Sequence, residues 1–383
     1  MAPRATKCDE NAWRAANLGR SRLSRRPAPA ESRLRAGLPA LQMRLSTVPH
    51  KFDNGPAGMR SCGVPMQRVS LAAIAATVFS LHMPAGELQR DVMSIACTKE
   101  KGLVAAAFRG GQVAVWDFES GRVKNTYNAS APKNTLNVPL AHFSAGGRRL
   151  AFTQEGDAGL ISYDLATGAA TVLVPRRLLV KGITAFSWSQ QADSMLVAIG
   201  RDIFLINAQG RTQWQHRLET RAIITDVVWH PSEQFYTVAT DDGEVSTWET
   251  ASGRVISSSK LDIGAHSAAV KVGWTGEDRL VASVRGVSLA VLDPETLRPK
   301  KTTACNCLDF TWSPGGKEIF AWAPPNIAIF SESGQRTREI RTPFEGEGPI
   351  VWAGDGRLLT AFPDSAVVLR DARTGKIIRT FAP

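Results

Sequence analysis

The sequence predicts an all-β, seven-bladed β-propeller built from four-stranded antiparallel blades, preceded by a segment outside the propeller. Two recurring markers and one recurring texture predict it. The first marker is a bulky residue followed by a small or polar one, ahead of a turn: Phe143-Ser144, Trp188-Ser189, Trp229-His230, Trp274-Thr275, Trp312-Ser313 and Trp352-Ala353. The second is a bulky residue followed by Asp or a substitute: Trp116-Asp117, Tyr163-Asp164, Ile206-Asn207, Trp248-Glu249, Leu292-Asp293, Phe330-Ser331 and Arg370-Asp371. Between them lie short stretches rich in β-branched and aromatic residues, broken by turn formers.

The spacing is what turns these markers into an architecture. The first marker recurs at intervals of 45, 41, 45, 38 and 40 residues, and Cys97-Thr98, 46 residues before Phe143, fits as a degenerate first copy. From Phe143 onward the second marker follows the first by 19 to 21 residues. A period near 40 with four strands per unit is the signature of a propeller. Residues 224–260 show the unit most clearly, as ITDVVWHPSEQ, FYTVATDDG, EVSTWETASG and RVISSSK. One such unit cannot bury both its faces, so neighbours must stack, and the marker tryptophans become inter-blade core. The seventh unit supplies all four of its strands, ending in KIIRTF at 376–381, so closure requires no strand from the N-terminus.

The N-terminal region divides in three. Residues 1–65 carry 12 Lys/Arg against 4 Asp/Glu and are rich in Ala, Pro and Ser, a composition that does not fold alone. In 66–85 a single Arg precedes the apolar run Val69 to Leu81 and then His82-Met83-Pro84-Ala85, the order of a secretory signal peptide. That order makes Met66 the expected true start, with 86–92 as a linker and 93–383 as the propeller. Export to a periplasm or to the outside follows from that start. A start at Met1 implies the cytoplasm or a mitochondrion instead, with the 13-residue run docked as structure.

Charge and motifs bound the function. The net charge of +11 is concentrated in 1–65, and the remaining residues hold 34 basic against 31 acidic groups. A near-balanced body lacks the clustered basic face that phosphate binding requires, so nucleic acid is not the expected partner unless the basic tail is real. No apolar run reaches the ~18 residues of a membrane-spanning helix. Five cysteines at low density imply no disulfide framework. Cys305 and Cys307 share one face if their segment is a strand and read as two small packing residues, with a redox or metal pair as the alternative. The six histidines lie in no catalytic motif, and G-x-S-x-G, H-E-x-x-H and P-loop patterns are absent. No catalytic residue, metal ligand or cofactor is therefore expected.

The segments VAVWDFESGR, EVSTWETASGR, WHPSE and WSPGGKE resemble the WD40 repeat family over about 290 residues. The resemblance implies a propeller that serves as an interaction platform for a protein or peptide. The sequence departs from the family in having one true Trp-Asp pair, Trp116-Asp117, and only a loose Gly-His element at Gly264-Ala265-His266. The buried His–Asp network of strict members is thus not expected. The turns Asp117–Arg122, Asp164–Gly168 and Asp371–Lys376 also resemble those of quinoprotein dehydrogenase propellers, a family that usually has eight blades. A quinone-cofactor or other small-molecule enzyme outside the cytoplasm is the alternative function. In the WD40 arrangement the loops between second and third strands share one ring face. Here that face would carry Arg109, Asp157, Arg201, Asp241, Asp242, Arg285 and Asp364, a mixed-charge set able to grip a polar peptide.

Overall fold

The computed structural model describes residues 91–382, apart from 99–100, 129–138, 155–157, 176–181, 265–268, 276–277, 343–347 and 362–365. The readings for 1–65, 66–85 and most of 86–92 fall outside the described residues, as do Asp157 and Asp364. Among the described residues no helix is long and apolar enough to cross a membrane.

Seven four-stranded antiparallel sheets follow one another along the chain, each with its strands side by side in sequence order. Blade 1 covers 92–128, blade 2 141–175, blade 3 183–217, blade 4 224–260, blade 5 270–304, blade 6 309–341 and blade 7 350–381. First strands of neighbouring blades contact one another, so they line the axis, and fourth strands form the outer rim. Second strands such as Leu103–Phe108 and Ser194–Ile199 are buried at every position, because adjacent blades cover both of their faces. Fourth strands such as Val255–Lys260 are mostly exposed and carry the polar residues.

Each marker has a physical task. In blades 2 to 6 the side chain after the bulky residue of the first marker caps the turn that follows. Ser144 Oγ accepts from the Arg149 N–H at 3.0 Å, Ser313 Oγ from the Glu318 N–H at 2.9 Å, and Thr275 Oγ1 from the Arg279 N–H at 3.3 Å. The acidic or amide residue of the second marker caps the turn between third and fourth strands. Asp117 Oδ1 accepts from the Ser120 N–H at 2.8 Å, Asn207 Oδ1 from the Arg211 N–H at 2.9 Å, and Asp371 Oδ1 from the Thr374 N–H at 2.7 Å. Such N–H bonds, from Ser120 and Thr296, lead in holding the Asp117 and Asp293 carboxyls below the usual carboxylate range, and the Thr374 hydroxyl leads in holding Asp371 there.

The marker tryptophans of blades 3, 4 and 5 reach backwards around the ring. Trp188 Nε1–H donates to the His142 carbonyl at 3.2 Å, Trp229 to the Ser187 carbonyl at 3.1 Å, and Trp274 to Thr237 Oγ1 at 2.9 Å. Cys97, the degenerate copy, does the same from blade 1, donating to the Trp352 carbonyl of blade 7 at 3.6 Å. Arg370 stands at the bulky position of the second marker in blade 7 and is fully buried. Its Nε–H donates to Thr360 Oγ1 at 3.1 Å and its Nη1–H to the Gly375 carbonyl at 3.2 Å.

The ring closes as the sequence predicts. Blade 7 ends in its own fourth strand, Ile377–Phe381. Phe381 is buried in a cluster with Trp116, Phe118, Leu359, Val367 and Leu369 that joins blade 7 to blade 1. Trp116 Nε1–H donates to the Ala382 carbonyl across this seam at 2.8 Å. Cys305 and Cys307 are not in a strand: both lie in the irregular link between blades 5 and 6, and they are disulfide-bonded to each other. The packing reading holds for Cys307, which is fully buried against Val281, Leu289 and Ile319, but it missed the covalent bond.

Candidate functional site

The turns between second and third strands lie on one face together with the links that join blades. Backbone bonds tie the two sets together: the Arg109 N–H to the Asp91 carbonyl at 2.8 Å, Asp241 to Ile223 at 2.9 Å, and Arg285 to Ala269 at 3.0 Å. The face is therefore a rigid platform rather than a set of independent loops.

Five of the predicted site residues, Arg109, Arg201, Asp241, Asp242 and Arg285, are among the described residues and lie on this platform. Arg109 Nε pairs with Asp91 Oδ2 at 3.0 Å. Arg201 Nη1–H donates to the Thr220 carbonyl at 2.8 Å, which pins the link between blades 3 and 4. Asp241 Oδ1 accepts from the Ile223 N–H at 2.9 Å. Asp242 accepts from Thr240 Oγ1 at 2.6 Å and pairs with Lys260 Nζ at 2.8 Å, contacts that hold its carboxyl below the usual range against the opposing effect of burial. Arg285 lies close enough to Lys271 for their charges to repel.

Sequence reasoning missed a charged cluster at the mouth of the axial channel. Asp226, Lys271 and Asp309 stand on the first strands of blades 4, 5 and 6, each three residues before the marker tryptophan of its blade. That alternation of sign at one register position, inside otherwise apolar strands, is the signal that could have revealed it. Lys271 Nζ bonds Asp309 Oδ1 at 2.8 Å, while its side chain keeps 48% exposure. Burial pushes the Lys271 ammonium down, but the Asp309 and Asp226 carboxylates outweigh this and hold its pKa above the ordinary lysine value. Burial raises Asp226 to about 6 against the opposing charge of Lys271. His142, on the first strand of blade 2, is lowered to about 4 by burial and by the charge of Lys271.

The carboxylates also do structural work, because first strands have an unpaired edge towards the next blade. Asp226 Oδ2 accepts from the Val272 N–H at 2.9 Å and Asp309 Oδ2 from the Ile350 N–H at 3.1 Å. Thr225 Oγ1 donates to the Val270 carbonyl at 2.7 Å, and Thr311 Oγ1 accepts from the Trp352 N–H at 3.1 Å. Polar side chains on each of these inner strands thus satisfy the backbone edge of the next. On the opposite face, at the seam of blades 7 and 1, lies a cavity of about 210 Å³ lined by Cys97, Phe118, Glu119, Asp355 and Arg357, among others. Among the described residues no group of three or more His, Cys, Asp or Glu is arranged to hold a metal ion.

Comparison with known proteins agrees with this architecture. Residues 186–277 match the family of anaphase-promoting complex subunit 4 WD40 domains. No curated protein matches the sequence. Among solved structures, the β-propeller domain of Cps50 (Swd1) from Myceliophteria thermophila is similar at 15% identity with a TM-score of 0.58, over 72% of this chain and 94% of that one. The computationally designed Ika8 protein is similar at 13% identity with a TM-score of 0.56, over 76% of this chain and 87% of that one. Likeness at these identities is likeness of fold, and in fold this chain is a WD40-like β-propeller. Such propellers typically serve as protein-interaction scaffolds and are generally not catalytic. Nothing in these comparisons supports the quinone-cofactor alternative, and the turns that suggested it are bends capped by their own Asp side chains.

Proposed function

We propose that this protein is a non-catalytic scaffold that presents the face around the channel mouth to a protein or peptide partner carrying polar and charged side chains. The observation that carries the reading is the convergence on one rigid face of Asp241, Asp242, Arg285 and the channel-mouth pair Lys271–Asp309. Mixed charge on a platform whose backbone is already fixed supplies directional contacts with little ordering loss on binding. Arg109 and Asp91 add a half-exposed ion pair on the blade 1 side. The match to a domain from a subunit of a multiprotein complex supports the same class of role.

The structure also directs the test. Arg201 holds an inter-blade link, so its removal would mix stability with binding. Arg109→Ala/Arg285→Ala should abolish capture of the partner from lysate of the native host while the melting temperature stays unchanged. A rim control, Lys300→Ala/Lys301→Ala, should capture it as the wild type does. Equal capture by all three proteins would refute the assignment of the face.

A further inference from the structure

The disulfide between Cys305 and Cys307 sits on the same face as Arg285. We propose that it is a thiol–disulfide exchange centre, entered at Cys305, for thiolates that reach this face. The inference stands independently of any protein partner.

The first support is that the bond is redundant for the fold. It spans a single intervening residue, and the stabilisation a disulfide gives by restricting the unfolded chain grows with the length of the loop it closes. The link is already fixed by its backbone: the Cys305 N–H donates to the Val287 carbonyl at 3.1 Å, the Gly286 N–H to the Cys307 carbonyl at 2.9 Å, and the Leu308 N–H to the Trp322 carbonyl at 2.7 Å. None of these ties depends on the sulfurs.

The second support is the unlike exposure of the two cysteines. Cys307 is fully buried in the seam between blades 5 and 6, whereas Cys305 is partly exposed, flanked by exposed Asn306 and within the reach of exposed Val287. An incoming thiolate therefore meets the Cys305 sulfur. Its sulfur bonds to Cys305 Sγ, the Cys305–Cys307 bond breaks, and the electron pair leaves on Cys307 Sγ, which takes up a proton because its apolar surroundings disfavour a thiolate. A second thiolate then attacks the mixed disulfide and departs with the first as a disulfide. Two thiols are oxidised, and Cys305 and Cys307 become a dithiol. The reduced state suits the site, since Cys307 remains a small apolar filler and Cys305 an accessible thiol. Arg285, immediately before the Gly286 that bonds Cys307, adds positive charge that attracts anionic thiols such as glutathione.

The full-length protein, prepared without reductant, would be incubated under native conditions with reduced glutathione, then alkylated and mapped by peptide. The expected result is loss of the disulfide, with a glutathione adduct at Cys305. With oxidised glutathione, Cys307→Ser should carry the adduct at Cys305, and Cys305→Ser should stay unmodified at Cys307. Cys305→Ser/Cys307→Ser should melt within about 2 °C of the wild type, as expected for a bond that is not structural. Cys97 lies on a separate peptide, so modification there would not be confused with exchange at this site. A disulfide that resists glutathione until the chain is unfolded, a pair that stays reduced in oxidised glutathione, or a large fall in melting temperature for the double variant would each overturn the proposal.

Discussion

His142 faces the channel from blade 2 with its ring 4.7 Å from that of Phe186, and burial keeps it neutral. Its pKa is lowered from 6.5 to about 4, so the stability it contributes is full above about 6.5 and is lost as the pH falls towards 4. Asp226 acts in the opposite sense. Its pKa is raised from 3.8 to about 6, so its contribution is full below 3.8 and is lost as the pH rises through 6. Between pH 4 and 6 the two slopes oppose each other. His142→Phe keeps an aromatic ring beside Phe186 and removes one slope. Its melting temperature relative to the wild type should climb steadily as the pH is lowered from 7 to 4.5. A difference that stays constant with pH would show that His142 is not the titrating group. Neither role was legible in the sequence, because each group's environment is made by burial and by the charge of Lys271, which are supplied by elements distant in the chain.

The turns between first and second strands show how elements lock to one another. Glu233, in this turn of blade 4, sits at φ 56 and sends its carboxylate into the same turn of blade 3. There it accepts from Ser189 Oγ at 2.6 Å, from the Gln191 N–H at 3.1 Å and from the Gln190 N–H. A hydrogen bond to a charged acceptor contributes about 1.5–3 kcal/mol, but two of these three donors are exposed and regain water when the carboxylate is lost, so Glu233→Ala should destabilise the protein by about 2 kcal/mol in denaturant titration. Glu233→Gly loses the same clamp but relieves the positive φ, and should be milder. Equal stability of Glu233→Ala and wild type would reduce the clamp to a surface contact.

At this scale the sequence was most readable where a residue's task is local. The four-strand texture and the capped turns at Asp117, Asn207 and Asp371 depend on neighbours two to four positions away, and the repeat displays them seven times over. Tasks performed between elements were hidden. Arg109 and Arg201 read as free members of a binding face, but Asp91 and the Thr220 carbonyl, supplied by the links, hold them. Cys305 and Cys307 read as two small packing residues, because nothing local shows that the fourth strand ends at Ala304 and that the link after it brings the two sulfurs together.

The whole ring has one seam unlike the other six. Blades 1 to 7 are joined in series by the chain, whereas among the described residues blade 7 meets blade 1 with no covalent connection and no shared strand. Packing must hold it: Phe381 against Trp116 and Phe118, with centroids 6.1 and 6.4 Å apart, the Trp116–Ala382 hydrogen bond, and Arg357 stacked 4.7 Å over Phe118. In a stacked-repeat protein stability is a sum of repeat and interface contributions, and here one interface is untethered. Phe381→Ala should cost about 3–5 kcal/mol, as for other buried aromatic truncations. What marks the seam is where the damage spreads. Once it is weakened, the amides of Val92–Thr98 and Gln112–Asp117 in blade 1 should exchange hydrogen faster in step with those of Ile377–Phe381, although the first two lie more than 250 residues from Phe381 in the chain. Trp322→Ala, a truncation of a buried residue in blade 6, should leave blade 1 protection unchanged at the same loss of global stability. Faster exchange confined to blade 7 in Phe381→Ala would mean that blade 1 is stable without its closing partner, and that the ring is held as an open series of blades.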